Sequence, residues 1–85
     1  MRSILIATAM LLAAAPAYAA GCQDRIAFVQ SVIDNDRKVN FIGKDVYAAM
    51  SADLESARKA CAAGDSGKAN AIISGTQSRH GYPVR

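Results

Sequence analysis

Two cysteines, one histidine and seven carboxylates are the side chains of this 85-residue chain best suited to chemistry. Cys22 and Cys61 could serve as nucleophiles, as metal ligands or as a disulfide. Nucleophilic catalysis also needs a base and a group to orient it. His80 is the only histidine, and it falls at the end of a short predicted helix. There an imidazole complements the negative end of the helix dipole. One histidine cannot build a metal site alone. The acids are dispersed, with no pair embedded among apolar residues that would tune one carboxyl against the other. The expectation is a chain with no catalytic residues, no metal and no cofactor.

Two near-motifs fail on spacing. Gly64-Asp65-Ser66-Gly67-Lys68-Ala69 has the flavour of a phosphate loop. That loop needs four residues between its glycines, a Ser or Thr after the lysine, and a strand before it. Asp34-Asn35-Asp36 suggests the start of a calcium loop. Counting from Asp34 puts Lys38, Val39 and Asp45 where a ligand, a glycine and a glutamate belong.

The cysteines are better read through the compartment. Arg2 precedes an apolar run from Ile4 to Ala15, Pro16 interrupts it, and Ala17-Tyr18-Ala19 follows. A positive start, a short apolar core and small-x-small describe a secretory signal peptide, cleaved after Ala19. The run is too short to span a bilayer, which takes about 20 residues. The mature chain, Ala20 to Arg85, carries a net charge of +2. Its basic residues form no stripe and no aromatics interleave with them, which argues against nucleic acid. No stable membrane insertion is expected after cleavage.

Export to a bacterial periplasm, or secretion, favours a Cys22–Cys61 disulfide. In the chain-entropy picture a loop of about 40 residues is worth roughly 4 kcal/mol. A chain of about 60 residues needs such a staple, the more so as 11 of its 29 apolar residues are alanine. The competing reading is lipidation of Cys22, although the usual leucine three residues before it is missing.

The elements that position these residues are helices. From Cys22 to about Lys38, the residues Cys22, Ile26, Val29 and Ile33 are spaced 4, 3, 4, which is a helical stripe. Asn35 and Asn40 weaken that helix after Asp34. Gly43 marks a break, and Asp45 is the expected N-cap of the next helix. From Val46 to about Ala63, the series Met50, Leu54, Ala57 and Cys61 repeats the spacing in mirror order. Run antiparallel, the two stripes pair Cys22 with Cys61, Ile26 with Ala57, Val29 with Leu54, and Ile33 with Met50. The solvated faces offer Asp34–Lys38 and Glu55–Lys59 as i,i+4 pairs.

A third helix follows the Gly64–Gly67 turn, capped by Asp65 or Ser66. It ends near Arg79, with Ala69, Ile72, Ile73 and Thr76 on one face and Gly75 weakening it. It is expected to cover the second apolar edge of the first helix, Phe28 and Val32.

Two features remain as candidate contacts. Phe41 and Ile42 form an apolar stretch in a helix connection, where polar residues are usual. They either plug the open end of the helix pair or dock a partner. A third helix of about 11–13 residues stops short of that end. The tail, about residues 80–85, is either loose or folds Tyr82 back on the core.

The expected fold is all-α: a disulfide-closed antiparallel hairpin with a covering third helix. The expected function is a small exported non-enzymatic binding or interaction protein, with an unknown protein partner at Phe41 and Ile42. At the level of architecture alone, a small exported helical protein with one disulfide resembles the periplasmic acid-stress chaperones. That resemblance implies a stress-responsive holdase that exposes apolar surface as its carboxylates become protonated.

Overall fold

The computed structural model describes residues 21–84. The signal peptide expected over residues 1–19 lies outside them. Three helices make up the fold: α1 over residues 21–38, α2 over Lys44–Ala62 and α3 over Ser66–Arg79. The described residues contain no strand.

Helices α1 and α2 form the antiparallel hairpin, and the mirrored stripes are its seam. Cys22, Ile26, Val29 and Ile33 from α1 and Met50, Leu54, Ala57 and Cys61 from α2 are all buried. Cys22 and Cys61 are disulfide-bonded, with their Cα atoms 6.0 Å apart. Helix α3 returns along the pair and adds Ala69 and Ile73 to the same core.

All three helices end by one device. In each, a residue with positive φ follows the C-cap, and two backbone N–H groups reach back to the last free carbonyls, as in the Schellman motif. After α2 the residue is Gly64, φ 85°, with Gly64 N–H donating to the Cys61 carbonyl and Asp65 N–H to that of Ala60. After α3 it is Gly81, φ 77°, with Gly81 bonded to Ser78 and Tyr82 to Gln77. After α1 it is Asn40, φ 64°, with Asn40 bonded to Arg37 and Phe41 to Asp36. Asparagine is among the few side chains that tolerate this conformation, and Arg37 Nη1 donates to its Oδ1 at 2.9 Å.

Helix α1 ends at residue 38, as the spacing predicts, and the cap bonds offset propensity losses of a few tenths of a kcal/mol per residue after Asp34. Asp45 is not the N-cap of α2. Gly43 takes that place with no side-chain bond, and Asp45 sits in the first turn, where the dipole still favours an acid. Asp65 caps α3 as expected, its carboxylate accepting from Lys68 N–H at 3.0 Å.

The cover over α1 departs from expectation. Phe28 is 61% exposed and Val32 is half-buried. Helix α3 reaches only as far round α1 as Arg25, whose guanidinium donates to Asn70 Oδ1 at 2.9 Å and Ser74 Oγ at 2.9 Å. With 3.6 residues per turn, Phe28 lies about 60° beyond Arg25 on the helix surface, past the reach of α3.

Candidate functional site

The turn between α1 and α2 forms one end of the hairpin, opposite the disulfide. Phe41 there is 75% exposed and Val39 63% exposed. Ile42 is half-buried and packs against the core. The structure therefore separates the two candidate contacts: Ile42 plugs the end of the hairpin, and Phe41 stands clear of it. The reason is local. The second residue after a Schellman cap usually packs on the apolar residue at the third or fourth position inside the helix end. Here those positions are Asp36 and Asn35, and neither offers Phe41 an apolar partner.

Several side-chain bonds tie the elements together, and in three of them a carboxylate accepts. Between α1 and α2, the Tyr47 hydroxyl donates to Asp34 Oδ1 at 2.6 Å, and Gln30 Nε2 donates to the same oxygen at 2.9 Å. Between α2 and α3, Arg79 Nη2 meets Asp53 Oδ2 at 2.7 Å. Between the C-terminal segment and α1, the Tyr82 hydroxyl donates to Asp36 Oδ2 at 2.5 Å. The i,i+4 pairs expected on the solvated faces do not form as drawn. Glu55 pairs with Arg58 at 3.1 Å, and Asp34 serves Tyr47 and Gln30.

The ties shift the groups that make them. The Tyr47 hydroxyl, and Gln30 after it, hold the Asp34 carboxyl below its ordinary value. The Thr76 hydroxyl and then Arg79 hold Asp53 low, with His80 adding a smaller pull. Thr76 Oγ1 is buried and closes no hydrogen bond of regular geometry, so its contact with Asp53 is a long or bent one. Burial first, then Asp36, pushes the Tyr82 phenol up to about 12. His80 is the C-cap of α3, the place its sequence position suggested.

Tyr82 also settles the tail as far as Pro83. Its N–H closes the α3 cap, and Gln77 Nε2 donates to the Pro83 carbonyl at 3.2 Å. Between this segment and α1 runs a groove of about 540 Å³, lined by Asp24, Arg25, Phe28, Val29, Val32, Gln77, Tyr82 and Pro83. The sequence contained its two halves, Phe28–Val32 and Tyr82–Pro83, but their meeting depends on how far α3 rotates around α1.

Among the described residues no three His, Cys, Asp or Glu side chains gather where they could hold a metal. No described helix is long and apolar enough to cross a membrane. Compared with known proteins, the chain matches no family model, no curated protein and no solved structure.

Proposed function

We propose that this chain is a small exported, non-enzymatic interaction protein that docks a protein partner at the turn end of its hairpin. Phe41 supplies the contact, with Ile42 anchoring the turn behind it. The observation that carries the reading is Phe41 itself: a large aromatic side chain, 75% exposed, on a turn whose backbone is closed by two cap bonds. A rigidly presented aromatic loses little freedom on docking, and aromatics are enriched among the residues that dominate interfaces. The disulfide supports a working place in an oxidising compartment. In the test, a photocrosslinking residue replaces Phe41 in the producing cell, with the same residue at exposed Lys59 as control. A discrete adduct from position 41 alone supports the reading, provided the double variant Phe41→Ser/Ile42→Ser also loses the partner while remaining folded. No adduct, or equal adducts from both positions, refutes it.

A specific observation favours a second reading, an acid-responsive holdase: three of the side-chain ties between elements, Tyr47–Asp34, Arg79–Asp53 and Tyr82–Asp36, end on a carboxylate. Protonation removes the charge that makes those bonds strong, while the disulfide keeps α1 and α2 together. The distinguishing measurement is aggregation of a denatured client at pH 2–3. Suppression that is absent at neutral pH supports the holdase. Full retention of compact structure at that pH counts against it.

A further inference from the structure

The groove beside α1 has the build of a binding site rather than a packing defect. Its floor and one wall are fixed by Gln77, which is only 7% exposed. That side chain accepts from Arg25 Nη2 at 3.4 Å and donates to the Pro83 carbonyl, so it ties the tail wall to the α1 wall. The walls themselves are mostly apolar, from Phe28, Val29, Val32, Tyr82 and Pro83. A concave apolar space of about 300–1,000 Å³ with few polar groups is the usual form of a small-molecule site, and this one measures about 540 Å³.

Charge selects the occupant. Arg25 forms no ion pair among the described residues. Its guanidinium is met by the neutral oxygens of Asn70, Ser74 and Gln77, which hold it in place without cancelling its charge. Asp24 lines the same groove but is exposed, so water screens it more than the half-buried Arg25. The groove thus has one charged end, where the guanidinium is less exposed than the Asp24 carboxylate, and apolar walls along the rest.

We propose that this groove binds a small amphiphile with one anionic headgroup, the head at Arg25 and the apolar chain along Phe28, Val32 and Tyr82. The proposal goes beyond the partner surface at Phe41 and does not depend on it. A straight-chain carboxylate such as decanoate is the simplest probe of that chemistry.

The experiment titrates decanoate, decanol and decyltrimethylammonium into the oxidised mature chain, below the concentration at which each aggregates, with amide chemical shifts as the readout. The expected result is saturable one-to-one binding of decanoate, at least tenfold tighter than decanol, with shifts centred on Phe28, Val32 and Tyr82. Arg25→Gln should bring decanoate to the level of decanol, and Val32→Asp should weaken decanoate at least tenfold. If Arg25→Gln lowers the melting temperature, the headgroup series on the wild-type chain carries the charge test alone. Absence of saturation, equal affinity for the cationic probe, or shifts centred on Val39 and Phe41 would overturn the proposal. None of those results bears on the crosslinking test at position 41.

Discussion

Phe41 and Tyr82 occupy the same place in the same local motif, yet they finish on opposite sides of the surface. Each is the second residue after a helix C-cap, and each donates its N–H to the carbonyl five residues back. Behind each, the helix offers polar side chains, Asp36 and Asn35 for Phe41, Gln77 and Thr76 for Tyr82. Neither aromatic can pack on its own helix in the usual way. Tyr82 is half-buried because it packs against the hydrophobic core, and its hydroxyl reaches the Asp36 carboxylate of another helix. Phe41 has no such neighbour and stays in solvent. The backbone motif aims the side chain, and the tertiary surroundings decide whether it is covered. Asp36 stands at both places, with its carbonyl closing the Phe41 turn and its carboxylate holding Tyr82.

The largest way to break this comparison is to reduce the disulfide. Loss of the Cys22–Cys61 bond should cost about 2–5 kcal/mol, read as a drop in chemical denaturation midpoint. At partial denaturation the Tyr82–Asp36 contact, which depends on packing, should disappear before the Asn40–Phe41 turn, which is local. A reduced chain of unchanged stability would show that the helix registry contributes more than the covalent link.

Next in size is Tyr82→Ala, expected to cost about 1–3 kcal/mol through lost burial and a lost bond to a charged group. Tyr82→Phe should recover most of the burial and leave a deficit of about 1 kcal/mol. The raised Tyr82 pKa gives an independent reading of the same latch. A group that ionises less readily folded than unfolded contributes stability fully below its unfolded value, near 10, and loses it as pH rises through about 12. Alkaline melts of the wild type should fall over that interval more steeply than those of Tyr82→Phe.

Asn40→Ala should cost about 1 kcal/mol, because alanine resists the left-handed conformation. Asn40→Gly should be close to neutral, the lost bond from Arg37 offset by glycine's freedom. Equal losses in both variants would show that the side-chain bond, not the backbone angle, holds the turn.

A smaller effect is expected in acid. Asp34 and Asp53 lie below the ordinary carboxylate value of 3.8 when folded. The unfolded chain therefore takes up their protons at higher pH than the folded chain. The stability they contribute is full above 3.8 and is lost as pH falls through their folded values. Melting temperatures of the wild type should decline below about pH 4, and Asp53→Asn should flatten part of that decline. The smallest effect belongs to Phe41→Ala, within about 0.5 kcal/mol, as for surface changes that open no cavity. A loss above about 2 kcal/mol would place Phe41 in the core and end the docking proposal.

Much of the architecture could be read from spacing because a helix seam is periodic. Cys22, Ile26, Val29 and Ile33 and their mirror series in α2 leave few ways to bury both stripes, and the cysteines lock the register. The Gly64–Gly67 turn and a cap at Asp65 or Ser66 are short-range chemistry and were legible, the choice of Asp65 resting on its bond from Lys68 N–H. Position around the helix axis was not. Whether α3 covered Phe28 or stopped at Arg25 turns on a rotation of about 60°, smaller than an apolar stripe is wide, and Arg25 meets Asn70, Ser74 and Gln77 at the rotation observed. The groove, the Tyr82–Asp36 contact and the bonds from Arg25 to α3 depend on that rotation. They join residues up to 52 positions apart, and such contacts leave no periodic trace along the chain.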